Sequence, residues 1–172
     1  FEGEYYNTNS AKLYTPPLKE VPIWLAAGGP KSATLAAEYA DGLMISVKNP
    51  EDAYEKVINP SKQKSEELGK TNLRVHTYRW TMFADNDEDA WESLKSWRGL
   101  RAPNRLQELD PMVLRETADS LGREEIMSKF SRAGNIEELV NIYKPLVEDF
   151  ESDIVTIQIS SIDQPKTIEL LG

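Results

Sequence analysis

At 172 residues, 40% of them hydrophobic, the chain suits one domain or part of a larger one, with enough apolar material for a real core. Twenty basic side chains against 29 acidic ones give a formal charge of −9, which excludes a broad nucleic-acid footprint and leaves any anion to a few placed cations or helix ends. No cysteine and a single histidine, His76, exclude disulfides, thiolate zinc sites, cysteine nucleophiles and multi-histidine metal centres, and fit a cytoplasmic protein.

No apolar run approaches the ~18 residues of a membrane span, and none reads as a signal peptide. Phe1 to Glu20, rich in Tyr, Asn, Pro and Gly, shows no sustained periodicity. The chain starts at Phe1 rather than Met, in what reads as the middle of a loop, and the expectation is a fragment.

The stretch from Val21 to Ser46 organises the rest. Ile23 to Ala27 is an apolar run of strand length that stops at Gly28-Gly29. Pro30 and a series of helix formers follow, Asp41-Gly42 breaks them, and Leu43-Met44-Ile45 is a second apolar run. Strand, turn, helix, turn and strand make a βαβ unit with parallel strands. The turn has two readings. It is a plain strand-to-helix connection, or its glycines take positive φ and let an anion approach the helix N-terminus, where unpaired N–H groups and the macrodipole favour negative charge.

Asn49 reads as an N-cap with Pro50 at the first helical position, and Ala53, Tyr54, Val57 and Ile58 keep helical spacing. Asn59-Pro60 is expected to kink this helix before Gly69 closes it. Leu73 to Ala84 is a third strand with bulk on both faces. His76 sits within it, and a lone strand histidine reads as packed or hydrogen-bonded in preference to functional. The acidic run Asp85 to Asp89 opens a helix carrying Trp91, Leu94 and Trp97, and capping explains it better than metal. Gly99 to Leu109 is irregular and basic, with Arg98, Arg101 and Arg105 close in sequence.

A helix opens at Asp110-Pro111 and another runs from Arg123 to about Arg132. Asn135 with Glu138 reads as a capping box for the amphipathic helix of Ile136, Leu139, Val140, Tyr143 and Val147. Ile154 to Ser161 is the fourth strand, and a last helix covers Pro165 to Leu171. Four parallel strands with crossover helices predict an α/β fold, either an open sheet or part of a (β/α)8 barrel. The polar alternate positions Thr156, Gln158 and Ser160 favour the barrel.

Phe1-Glu2-Gly3-Glu4-Tyr5-Tyr6, Val21-Pro22 leading to Ala26-Ala27-Gly28-Gly29-Pro30, Ala40-Asp41-Gly42, and Asp110-Pro111 with Ala118-Asp119-Ser120-Leu121 together resemble the bacterial luciferase-like family. Within it they resemble the branch using the deazaflavin coenzyme F420, which includes F420-dependent glucose-6-phosphate dehydrogenases, methylenetetrahydromethanopterin reductases and alcohol dehydrogenases. The resemblance implies that residues 1–172 are the C-terminal half of a single (β/α)8 TIM barrel, with a helical insertion before the last strand. It also implies hydride transfer between F420 and a small organic substrate, anionic by the matching cations, with a sugar phosphate such as glucose 6-phosphate among the candidates. An FMN-dependent luciferase-like monooxygenase, a methylenetetrahydromethanopterin reductase and a non-catalytic flavin-binding subunit are the alternatives, and the full-length protein is expected to be a homodimer.

By the same resemblance, Ala27, Gly28, Gly29, Lys31 and Ser32 match the turn that contacts the coenzyme. Ser46, Asn49 with Lys48 beside it, Arg105 and Lys129 match positions that contact a sugar phosphate. For Arg105 and Lys129 the competing reading is ordinary solvated surface charge. The family's catalytic histidine and acid belong to the other half of the barrel, so no catalytic residue is assigned here and His76 is not promoted to the role.

Overall fold

The βαβ unit forms where the sequence places it. The computed structural model of the chain describes residues 1–70 and 72–172. β1 (Trp24–Ala26), α1 (Pro30–Tyr39) and β2 (Gly42–Ser46) pack with the strands parallel and Trp24 opposite Gly42. The Asp41-Gly42 pair has two separate tasks. Asp41 Oδ2 accepts a hydrogen bond from the Ile23 N–H at 2.8 Å, tying the entry of β1 to the exit of α1. Gly42 lies under the Trp24 indole, where an added Cβ would stand 2.4 Å from Cε3. Gly42→Ala should therefore overpack this contact and cost the full-length protein about 1–3 kcal/mol, read as a lower melting temperature. An unchanged melting temperature would mean that the indole moves aside freely.

The helix expected from Pro50 to Leu68 comes in three continuous pieces: α2 (Pro50–Ala53), a π-helical turn (Tyr54–Ile58) and α3 (Asn59–Glu67). Asn49 caps it by accepting the Asp52 N–H at 3.0 Å. The expected kink takes the form of that π turn, in which the Asn59 N–H reaches back to the Tyr54 carbonyl. Pro60 has no N–H to give, and its ring would crowd the carbonyl four residues earlier. A widened turn relieves both. Gly69, at φ +70°, ends the helix as read.

β3 (Arg74–Phe83) is the central strand. β2 pairs with residues 74–78, and β5 (Ile154–Ser160) runs along the opposite edge against residues 76–82. Two expectations fail here. The helix from Arg123 stops at Met127 (α6), and Ser131–Ala133 forms an additional short strand, β4, so the parallel sheet has five strands rather than four. β4 pairs with Thr81–Phe83 on the same edge as β2, beyond the point where β2 ends. Without it that end of β3 would leave ladder groups without partners. The Ala84 N–H also closes on the Ala133 carbonyl at 3.0 Å.

Between β3 and β4 lies the helical insertion: α4 (Asp87–Ser93), a 3₁₀ turn (Arg98–Arg101), α5 (Pro111–Ser120) and α6. α7 (Ile136–Glu148) starts on half of the expected capping box: Asn135 accepts the Glu138 N–H at 2.9 Å, but the Glu138 carboxylate accepts the Gly134 N–H at 2.7 Å and the Asn135 side-chain amide at 2.8 Å instead of the Asn135 backbone N–H. α8 (Gln164–Leu171) closes the chain's elements. Leu43, Ile45 and Val75 on one face of the sheet bury against Ala33, Ala36, Val57, Ile58, Leu139 and Leu146 from the helices. The alternate positions, among them Trp24, Met44, His76, Tyr78 and Gln158, occupy the other face, which is left open except at the end of β3, where Met82 buries against Ala90 and Leu94 of the insertion. β1 and β5 each pair along one edge alone. Helices on one face and an open concave face are what part of a (β/α)8 barrel requires. Among the described residues no helix is long and apolar enough to cross a membrane.

Candidate active site

In parallel α/β folds the loops at the carboxyl ends of the strands carry the ligand sites. Two neighbouring cavities open there, and both are lined by Ser46, Lys48 and Tyr78. The larger, about 510 Å³, runs from Ala26, Ala27 and Gly28 past Asn49 to Lys56. The smaller, about 290 Å³, is bounded by Arg79 and Trp80 of β3, Arg101, the segment Ser128–Ser131 and Gln158.

The glycine turn departs from its expected geometry. Neither Gly28 nor Gly29 has positive φ, and Gly29 is extended at φ −172°, ψ 176°, a conformation open to any residue. A Cβ built on either would meet nothing within 4 Å. The chain's own packing thus does not demand these glycines, and what they create is an open ledge beside the N-terminus of α1. Ser32 ties the ledge together, its Oγ accepting the Gly28 and Gly29 N–H groups at 3.2 and 3.3 Å and donating to the Gly29 carbonyl at 3.0 Å. The first-turn N–H groups of α1 have no intrahelical acceptor, and exposed Lys31 adds a charge beside them. Ala27 is buried, with its N–H committed to the Met44 carbonyl at 2.9 Å. Of the five turn residues, Ala27 and Gly28 line the larger cavity, and Gly29, Lys31 and Ser32 line neither.

Among the residues matched to substrate contacts, Ser46 and Lys48 line both cavities, Asn49 the larger and Lys129 the smaller. The Asn49 side-chain oxygen is already engaged as the α2 cap. Lys129 pairs with Glu125 Oε1 at 2.9 Å. Arg105 is exposed and lines neither cavity, although its charge reaches Lys48. Burial first, then the Arg101 and Arg105 guanidinium groups, push the Lys48 pKa below its ordinary value.

The sequence reading gave no site role to Arg79, Trp80 or Arg101, and read Gln158 only as one of the polar alternate positions of the last strand. Arg79 falls on the face of β3 that alternation assigns to the core, yet its Nε reaches Ser131 Oγ of β4 at 2.7 Å, a partner visible only once β4 is in place. Its pKa is lowered by burial, against the opposing influence of Tyr143 and Glu51. Trp80 donates from Nε1 to Ser160 Oγ at 2.6 Å and packs its ring 4.6 Å from that of Trp97. His76 lines neither cavity. Its Nε2 is 2.7 Å from Thr156 Oγ1, and Trp24 and Tyr78 flank the ring edge-on, so it is a packed and hydrogen-bonded strand histidine.

The chain is 30% identical over 175 residues to the F420-dependent glucose-6-phosphate dehydrogenase of Mycolicibacterium gilvum (strain PYR-GCK), a match covering 99% of this chain and 52% of the relative. It is 25% identical over 193 residues to the 5,10-methylenetetrahydromethanopterin reductase of Methanopyrus kandleri, covering 100% of this chain and 55% of that one. An F420-dependent secondary alcohol dehydrogenase solved with an F420-acetone adduct superposes with a TM-score of 0.83 at 26% identity, over 99% of this chain and 53% of its own. The chain thus spans about half the length of the relatives it matches. The family described as luciferase-like monooxygenase matches residues 1–147. With that match over most of its length, a parallel sheet of the same architecture and ligand-sized cavities at the carboxyl ends of its strands, the chain belongs to the luciferase-like family.

Proposed function

We propose that this chain is the C-terminal half of a single (β/α)8 barrel and that the full-length protein transfers a hydride between coenzyme F420 and a small anionic substrate. The observation that carries the reading is the pair of cavities joined at Ser46, Lys48 and Tyr78, one beside the glycine ledge and the other rich in cations. The named activities of its relatives support it. The residues present fit such a coenzyme. Gly28 and Gly29 leave room for close approach, and the N-terminus of α1 with Lys31 suits a phosphate or carboxylate. Ala27 and Ser32 hold that ledge in place. The deazaflavin, when bound, supplies the hydride-carrying carbon. This chain's part is to bind, to orient and, with Trp80 and Tyr78 as an aromatic wall, to exclude water. The catalytic acid–base pair belongs to the other half of the barrel.

Within this reading the substrate is a sugar phosphate such as glucose 6-phosphate; Ser46, Lys48, Asn49 and Lys129 serve it from the cavity walls, and exposed Arg105, which lines neither cavity, serves it only as a distant charge. Lys129→Ala in the full-length enzyme should then raise KM for that substrate by roughly tenfold, the low end for a charged hydrogen bond because Glu125 already partners the amine. F420 affinity should change little. An unchanged KM would point to a neutral substrate, such as an alcohol.

The decisive experiment is spectroscopic. Full-length protein should bind F420 and bleach its absorbance when glucose 6-phosphate is added. Tight FMN binding with oxygen consumption would replace this reading with a monooxygenase. Coenzyme binding without turnover of sugar phosphate, pterin or alcohol would leave a non-catalytic flavin-binding subunit.

A further inference from the structure

The smaller cavity is strongly cationic, and one of its arginines, Arg101, has no part in the resemblance. Its lining includes Lys48, Arg79, Arg101 and Lys129 and not one carboxylate, in a chain with a formal charge of −9. Lys129 has Glu125 and Arg79 has the Ser131 hydroxyl as partners. Among the described residues Lys48 and Arg101 have no such partner, and of the two only Arg101 carries a donor shut off from water. It is half-buried, its Nε is shielded from solvent without a hydrogen-bond partner, and its guanidinium lies 4.5 Å from the Phe130 ring centroid. A buried donor left unpaired is costly, and a guanidinium presents its remaining donors as a rigid planar fork. Burial and then the charge of Arg105 both disfavour its protonated form, with no acid to offset them. Such an arrangement is stabilised when an anion enters.

We propose that Arg101, packed against Phe130, is the residue that selects a doubly charged anion such as a phosphomonoester in this cavity, with exposed Arg105 acting only as a distant charge. The proposal rests on the oxidoreductase reading for the identity of the reaction, but not for the anion itself. Arg101 works as a planar fork, which Lys cannot reproduce. Three surrounding cations favour a dianion over a monoanion by adding attraction for each charge.

The test is calorimetric titration of full-length protein, without coenzyme, with inorganic phosphate and with acetate. Wild type should bind phosphate near neutral pH well ahead of acetate. Arg101→Met, which keeps an unbranched side chain over Phe130, should weaken phosphate binding by about 10- to 100-fold, and Arg101→Lys should recover only part of the loss. Arg105→Met should cost no more than about threefold, as expected of an exposed charge. Melting curves of each variant separate lost binding from lost folding, and if Arg101→Met melts early the Arg101→Lys titration decides alone. Phosphate affinity unchanged in Arg101→Met, full recovery by lysine, or a larger loss from Arg105→Met would each overturn the proposal. F420 turnover with phosphate binding insensitive to Arg101 would sink this inference and leave the oxidoreductase reading standing. Phosphate binding lost as expected in a protein that does not bind F420 would do the reverse.

Discussion

Gly29→Val should leave the melting temperature of the full-length protein nearly unchanged while weakening F420 binding by roughly 10- to 100-fold. Glycine is usually irreplaceable because of positive φ or a backbone clash, and neither applies here. Gly29 is extended at φ −172°, where β-branched residues are at ease, and a Cβ would enter empty space with nothing within 4 Å. The fold therefore has little to lose. A coenzyme phosphate or carboxylate resting on the ledge would meet the isopropyl group before it reached the N-terminus of α1, and would forfeit charge-assisted hydrogen bonds to the backbone. Melting curves and coenzyme titration of the same preparation check both halves. Wild-type F420 affinity in the variant would remove the ledge from the coenzyme site. A large drop in melting temperature would mean that the ledge packs against a part of the protein outside this chain.

The second large effect concerns the chain on its own. Expressed as residues 1–172, it should self-associate, melt without a sharp transition and bind coenzyme poorly. β1 and β5 each present an unpaired edge, and such edges pair with other chains unless covered. Apolar side chains compound the problem: Val21 and Ile23 are each 61% exposed beside β1, and Ile157 is 42% exposed on β5. Val140 and Val147 of α7, which the amphipathic pattern assigns to a buried stripe, are half-exposed alongside them. Sedimentation and thermal unfolding of the isolated chain provide the check. A monodisperse monomer with cooperative unfolding and native coenzyme affinity would contradict the half-barrel and require the sheet to close on itself in some other way.

Much of this architecture is legible without coordinates because its signals are local. The caps at Asn49, Asp110 and Asn135 accept N–H groups two or three residues ahead, so residue type and spacing suffice to find them. The βαβ unit around Gly28-Gly29 and Asp41-Gly42 follows from strand-length apolar runs, breakers and helix formers in order, and the same residues carry the family resemblance. Even the disturbance at Pro60 is visible in advance, since a missing N–H and a ring clash are properties of proline itself. The form it takes, a π turn, is not, because that depends on how the widened segment packs Val57 and Ile58 into the core.

What the sequence by itself determined is therefore the α/β class, the central unit, the helix starts and the family. Only the tertiary structure decided the rest, and in each case the cause lies far along the chain. Ser131–Ala133 is too short to show a period of its own and becomes a strand because β3, some fifty residues earlier in the chain, offers it an unfilled edge beyond Ser46. Arg79 turns from a core-face position into a cavity wall because that same strand brings Ser131 to its Nε. Arg101 and Arg105 look alike as sequence, two arginines in an irregular basic stretch. They differ only because Phe130, delivered by the end of the helical insertion, supplies one of them with an aromatic ring to pack against and leaves the other in water.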